Sequence, residues 1–223
     1  MVRVIDGSAR TLPGVLLLAM DTATAAVTVA LHDGVSVLAE CHELGAMRHG
    51  ELLAPSIATV LDRAGARPAD LTSVAVGVGP GPFTGLRVGL VTARTLGVAL
   101  GIPVHGVCTL DVLAAGCGVA GHFVVATDAR RKEVYWASYA DPATRIEGPR
   151  VVRAADVATD LPVVGRGGLL YPESLPNAVS PAEPAAGVLA TLVASGAVPL
   201  LPAEPLYLRR PDVAEPGRPK AVL

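Results

Sequence analysis

Val15-Leu16-Leu17-Leu18-Ala19-Met20, followed at once by Asp21-Thr22-Ala23-Thr24, is the stretch on which the fold turns. Six apolar residues without interruption, closed by a polar turn, read as a strand buried on both faces. Residues 26–31 and 35–40 flank Asp33-Gly34, a two-residue hairpin signal. Three antiparallel strands therefore open the chain, and the first of them ends in Asp-Thr. A helix is predicted over residues 50–64, because Leu53, Ile57, Val60, Leu61 and Ala64 fall on one face at helical spacing. Gly65 ends it, and Pro68 prevents its continuation. Residues 73–78 form another apolar, β-branched run. It leads into Gly79-Pro80-Gly81-Pro82-Phe83-Thr84-Gly85-Leu86-Arg87 and a second helix to about residue 100.

That second helix carries Gly85, Gly89, Ala93 and Gly97 at intervals of four, which predicts a smooth groove along one side. Leu86, Val88, Leu90, Val91, Leu96 and Val98 point in the other directions, so the helix is apolar nearly all round and must be covered nearly all round. One side can lie on the sheet. The other needs a second helix, which another chain can supply. Beyond Gly101-Ile102-Pro103 the reading starts again, with a strand at 104–107, a helix at 110–115, and strands at 123–127 and 133–139 around Asp128-Ala129-Arg130-Arg131. The remainder is rich in Pro and Gly, with one helix at 185–195. Strand, Asp-Thr turn, hairpin, helix, strand, Gly-rich turn and helix is the plan of a ribonuclease-H-like lobe. The predicted class is α/β: two such lobes in the manner of actin, Hsp70 and the acetate and sugar kinases, with the second lobe reduced. The expected division is a tail at 1–13, a first lobe at 14–103, a second lobe at 104–210 and a flexible tail at 211–223.

Composition narrows the function classes. The chain has 223 residues, 51% of them hydrophobic and only 17% charged, which excludes disorder for most of its length. Its formal net charge of -2 lacks the basic excess of a chain that grips RNA by itself. Cys41, Cys108 and Cys117 are odd in number and have no metal-ligand spacing, so free thiols in a reducing cytosol are expected. No membrane span is read near the N-terminus, because the run at 15–20 is far too short.

The Gly-Pro-Gly turn admits two chemistries. Glycines allow close approach to a ligand, and the amides of a helix N-terminus attract anions. Asp21, Gly79, Gly81 and Thr84 are thus candidates for a nucleotide or phosphate loop. The alternative is a rigid turn, stiffened by Pro80 and Pro82, that seats Phe83 and starts the helix. A kinase of this fold would need a second phosphate loop, and Asp128-Ala129-Arg130-Arg131 is not one. Gly165-Arg166-Gly167-Gly168 is only a faint adenosine motif. A peptidase is excluded by the lack of Gly-x-Ser-x-Gly, His-Glu-x-x-His or a Cys-His pairing.

Several segments resemble the TsaB-type (YeaZ-like) family. Leu18-Ala19-Met20-Asp21-Thr22-Ala23-Thr24 is similar to that family's opening Leu-Ala-Ile-Asp-Thr-Ala/Ser-Thr. Arg48-His49-Gly50-Glu51-Leu52-Leu53-Ala54-Pro55 resembles its Arg-His-Ser-Glu-Leu-Leu-Leu-Pro. Residues 79–87 differ from its Gly-Pro-Gly-Ser-Phe-Thr-Gly-Leu-Arg only at Pro82. Ala129-Arg130-Arg131-Lys132-Glu133-Val134-Tyr135 and Leu206-Tyr207-Leu208-Arg209 also match family segments. The resemblance covers roughly residues 16–210. It implies a non-catalytic partner of the paralogous subunit TsaD in threonylcarbamoyl modification of adenosine 37 in tRNA. It further implies TsaE as a third component, a homodimer when alone, contact with tRNA only through the complex, and a cytoplasmic location. No cofactor is expected. The paralogue's metal-binding His-x-x-x-His falls on Thr109 and Leu113, so no metal site is expected either. The partner interface is expected on the two helices of the first lobe, through His49, Leu52, Leu53, Gly85, Arg87, Gly89, Ala93 and Gly97. The alternative is a small-molecule kinase or ATPase of the same fold.

Overall fold

A computed structural model describes residues 14–45, 47–157 and 159–209; the tails expected at 1–13 and 211–223 lie outside the described residues. The first sheet is built from β1 (Leu17–Asp21), β2 (Ala26–His32), β3 (Val37–Leu44), β4 (Ser73–Gly77) and β5 (Val104–Val107), in the order β3-β2-β1-β4-β5. β1 pairs antiparallel with β2 and parallel with β4. The second sheet contains β6 (Phe123–Asp128), β7 (Glu133–Asp141), β8 (Thr144–Arg153), β9 (Val163–Val164) and β10 (Ala178–Val179), in the order β10-β9-β6-β7-β8. Its β6 is again antiparallel to β7 and parallel to β9. The two sheets thus repeat one ribonuclease-H-like topology, which is the predicted class.

The helices distribute unevenly over this repeat. α1 (His49–Ala64) and α2 (Phe83–Leu100) cover one face of the first sheet. There Leu18 and Met20 of β1, Val27, Val29 and Leu31 of β2, and Val74 and Val76 of β4 meet Leu53, Val60 and Leu61 of α1 and Leu86 and Leu90 of α2. Burial of one such leucine is worth about 2 kcal/mol. The opposite face, through Leu17, Ala19, Ala30 and Ala75, takes Ala186, Leu189 and Ala190 of α6 (Ala186–Ser195) and Val112 of α3 (Thr109–Ala115). α3 turns Leu110, Leu113 and Ala114 the other way, onto Phe123, Val125 and Tyr139 of the second sheet. One short helix therefore separates and joins the lobes. The second sheet's remaining cover is α4 (Ala154–Val157) and α5 (Arg166–Leu170), each about a turn long.

Three expectations need correction. The loop between β2 and β3 spans four residues, not two: Asp33 Oδ1 accepts from the backbone N–H groups of Val35 and Ser36 at 2.9 and 2.7 Å, which delays β3 to Val37. β5, expected to open the second lobe, pairs with β4 in the first sheet, Val74 opposite Val104, and α6 also returns to the first lobe. The small-residue groove of α2 does not open to another chain. Gly85, Gly89, Ala93 and Gly97 are buried against their own lobe. A Cβ on Gly85 would lie 2.6 Å from the Thr22 carbonyl oxygen, one on Gly89 2.5 Å from Thr22 Oγ1, and one on Gly97 would run into the Val104 side chain. By length and composition α2 could cross a bilayer; in this fold its Leu86, Leu90 and Ala93 side lies on the first sheet.

Candidate functional site

The end of β1 meets the start of α2, and the contact rests on one hydroxyl. Thr22 Oγ1 donates to the Gly85 carbonyl at 2.7 Å and accepts from the Gly89 N–H at 3.0 Å. Those two groups would ordinarily bond each other across one helical turn. The hydroxyl bonds both, which it can do because neither residue has a side chain there. His49, at the start of α1, closes the same corner with its Nε2–H on the Thr24 carbonyl at 2.7 Å. His49 and Leu53 are buried, and Leu52 is half-buried against the core. Of the eight residues expected at a partner interface, Arg87 alone is exposed. Its Nε donates to Tyr207 Oη at 2.8 Å beside a Phe83–Tyr207 stack of 4.5 Å.

Asp21 is wholly buried. Its Oδ1 accepts the Ala23 N–H at 2.7 Å, and its Oδ2 accepts the Thr109 hydroxyl at 2.8 Å. Burial pushes its carboxyl up to about 6, with a smaller upward push from the charge of Glu183, while the two hydrogen bonds pull the other way. Thr109, standing where the resemblance put a metal-binding histidine, also accepts the Gly79 N–H at 3.2 Å and returns its own N–H to the Gly79 carbonyl at 2.8 Å. A Cβ on Gly81 would strike the Ala23 carbonyl, and one on Gly77 the Asp21 carboxylate. The glycines of this turn are there for contact between backbones. Asp21, Gly79 and Gly81, three of the four residues expected to hold a phosphate, are buried among their own neighbours; Thr84 alone is exposed. Among the described residues no group of three or more His, Cys, Asp or Glu could hold a metal ion.

Between the lobes lies a cleft of about 370 Å³. Ala23, Thr24 and Ala25 of the β1–β2 turn, Met47 and His49 at the entry to α1, and Pro82, Thr84 and Gly85 at the start of α2 line its first-lobe wall. Thr127, Asp128, Arg130, Arg166, Leu170 and Glu183 line the other. Arg166 pairs with Glu183 at 3.0 Å, and Arg130 with Asp128 at 3.3 Å. Sequence reasoning did not assign Thr127 and Glu183 to a site, because they are far apart in sequence and only the fold brings them to one cleft, and it gave Arg166 only as part of a faint adenosine motif.

The outward side of α2 is a separate surface. Val91 is 62% and Val98 86% exposed, and with Arg94, Thr95 and Ala99 they line a shallow depression on the helix. The small residues that sequence reasoning placed outward, Gly85, Gly89, Ala93 and Gly97, are buried, and these valines, read as part of a buried circumference, are bare. The missed signal was Thr22: a hydroxyl ending a buried strand next to a Gly-x-x-x-Gly helix sets which side faces in.

Comparison with known proteins gives a consistent set of relatives. The family model described as TsaD, tRNA N6-adenosine threonylcarbamoyltransferase, matches residues 42–175. An uncharacterized protein of Mycobacterium tuberculosis is 47% identical over 201 residues, 88% of this chain and 92% of that one. The tRNA threonylcarbamoyladenosine biosynthesis protein TsaB of Escherichia coli is 39% identical over 126 residues, 55% of this chain and 54% of its own length. Among solved structures, YeaZ from Pseudomonas aeruginosa is similar at a TM-score of 0.71 and 30% identity, over 87% of this chain and all of that one.

Proposed function

The chain belongs to the TsaB/YeaZ family, and from that membership we propose that it serves threonylcarbamoyladenosine biosynthesis in tRNA as a partner subunit without catalysis of its own. It binds TsaD through the outward faces of α1 and α2 and holds it in the form that transfers the threonylcarbamoyl group to adenosine 37. TsaE joins the pair, and tRNA is reached only through the complex. In the absence of TsaD the same face closes on a second copy of the chain.

The observation that supports this is the bare apolar strip of α2, with Val91 62% and Val98 86% exposed on the side of the helix away from its lobe. The match of the TsaD family model to residues 42–175 takes in α1 and α2 entire. A paralogue carrying the same helix pair can set its pair against this one in pseudo-twofold fashion, which buries like against like. The buried state of Asp21 and the Gly79 amide's bond to Thr109 leave the chain's own phosphate turn occupied, in keeping with a role outside the chemistry.

The test is light scattering after size exclusion, on this chain alone and mixed with TsaD of the same organism, beside a tRNA modification assay. A mixed complex, and modification that depends on the chain, are expected. The double variant Val91→Glu, Val98→Glu should lose both while keeping its melting temperature within about 2 °C, since exposed sites tolerate charge. Absence of any complex, with ATP turnover by the isolated chain, would overturn the reading in favour of a kinase.

A further inference from the structure

The cleft between the lobes holds an excess of hydrogen-bond acceptors. Glu183 is 7% exposed; Arg166 occupies its Oε1 at 3.0 Å, and its Oε2 is buried with no partner. Thr127, 2% exposed, likewise has an Oγ1 without one. Both side chains line the same cleft. A carboxylate oxygen can only accept, so what completes Glu183 must bring N–H or O–H donors. A buried carboxylate oxygen left unpaired is costly, and native interiors rarely keep one. The volume of about 370 Å³ is many times that of one water and within the range of small-molecule sites. A metal ion is not the occupant the residues favour, because no three His, Cys, Asp or Glu side chains among the described residues are grouped so as to hold one.

The remaining walls set the rest of the ligand. α2 begins at the cleft, with Thr84 and Gly85 in its lining. The amides of a helix's first turn have no partner within the helix and favour negative charge. Arg130, paired with Asp128, stands on the other wall. Met47 and Leu170 supply apolar surface. We propose that the cleft binds a small zwitterion of the α-amino-acid class, its ammonium on Glu183 Oε2 and Thr127 Oγ1, its carboxylate toward the first turn of α2. Arg166 is a positioning residue that fixes the Glu183 carboxylate. The proposal does not rest on the partner role, and it is tested on the chain by itself.

The experiment is ligand-observed NMR and calorimetry on the full chain with each free L-amino acid, its N-acetyl counterpart, and ADP as a ligand of a different class. At least one free amino acid should bind with sub-millimolar affinity and its N-acetyl form at least tenfold more weakly, because acetylation removes the ammonium. At 100-fold excess over Kd the ligand should raise the melting temperature by several degrees. Thr127→Val should weaken binding about tenfold while leaving the melting temperature of the free chain unchanged or higher, since it removes only an unpaired hydroxyl. Glu183→Gln should abolish binding, and if that variant fails to fold, Thr127→Val decides alone. The proposal falls if no free amino acid outbinds its N-acetyl form, if Thr127→Val binds as well as the parent, or if ADP is the ligand retained.

Discussion

The β1–β2 turn and the β6–β7 turn occupy the same place in two sheets of the same strand order, and they do opposite things. Asp21 ends β1 in complete burial, and Thr22 after it locks α2 in place. Asp128 ends β6 near the surface, where its Oδ1 caps the Arg130 N–H at 2.7 Å; Arg130, Arg131 and Lys132 then run through positive φ. The first turn is a junction between sheet and helix. The second is a tight surface corner with no long helix to hold, since α4 and α5 are a turn each. One topology thus gives a lobe with a long exposed helix face and a lobe that walls a cleft. The helices that each turn has to hold make the difference, not the strands.

The largest effect expected from breaking this contrast is at Gly89. Gly89→Leu would drive a side chain into Thr22 Oγ1, 2.5 Å from where its Cβ must sit. Overpacking and loss of the two Thr22 hydroxyl bonds together should remove more than about 4 kcal/mol. Urea unfolding should show collapse of the native baseline, with loss of TsaD binding as a consequence. A variant that folds normally and loses only the partner would mean that the groove faces outward after all.

The second effect is at Asp21, where the first turn buries its carboxyl. The folded-state pKa of Asp21, about 6 against an ordinary 3.8, means that the folded chain holds this proton more tightly than the unfolded one. Stability from this group is complete below about pH 4 and is lost as pH rises through 6. The amount is about 3 kcal/mol. Asp21→Asn keeps an acceptor for the Ala23 N–H and carries no charge, so the stability difference between it and the parent should grow by that amount from pH 4 to pH 7. Chemical denaturation of parent and variant at a series of pH values reads the difference.

These two cases also show what was legible in the sequence. Strands β1, β2 and β4 of the first sheet were readable because they are buried almost throughout and bounded by turn residues, and β3 because it follows the Asp33-Gly34 turn. Helices α1, α2 and α6 were readable because they are long, and the ribonuclease-H-like plan followed from their order. β8 was missed because its residues are exposed or half-buried along its length, giving no two-fold pattern. β9 and β10 were missed because two residues carry no period. The direction of α2 was misread for another reason. Periodicity shows that a helix has a small-residue side, but only a partner at long sequence separation, here Thr22 sixty-seven residues from Gly89, shows where that side goes. The cleft was illegible on the same ground, since Thr127 and Glu183 come to one cleft only through the fold.

A third effect joins the two regions. After a bridge from Leu201 to Gly106 and a bond from the Leu206 N–H to the Val78 carbonyl at 2.9 Å, the C-terminal segment stacks Tyr207 on Phe83 of α2. It then places Arg209 on the Ala129 carbonyl at 3.1 Å and on the Glu133 carboxylate. A single strap thus spans first lobe and second. Arg209→Ala should cost about 1–2 kcal/mol, because the pair is mostly buried and charge-assisted. It should also raise amide exchange in β6 and β7 more than in β1 and β2. Equal loosening of both sheets would show that the lobes unfold as one unit, with no separate stability for the strap to add.

The smallest effect is the most discriminating. Thr28 stands opposite Asp21 in the β1–β2 register, and Thr127 precedes Asp128 in the second sheet. Both hydroxyls are buried without a partner. An unpaired buried hydroxyl contributes no hydrogen bond, so replacing it by an isosteric methyl should be neutral or stabilising by up to about 1 kcal/mol. Thr28→Val and Thr127→Val should therefore melt at or slightly above the parent. They should part company only in amino-acid binding, which Thr28→Val should leave intact because it lies outside the cleft lining. If Thr127→Val destabilises the free chain by more than about 1 kcal/mol while Thr28→Val does not, the Thr127 hydroxyl is paired within the protein, and the acceptor excess on which the cleft's chemistry rests shrinks to Glu183 alone.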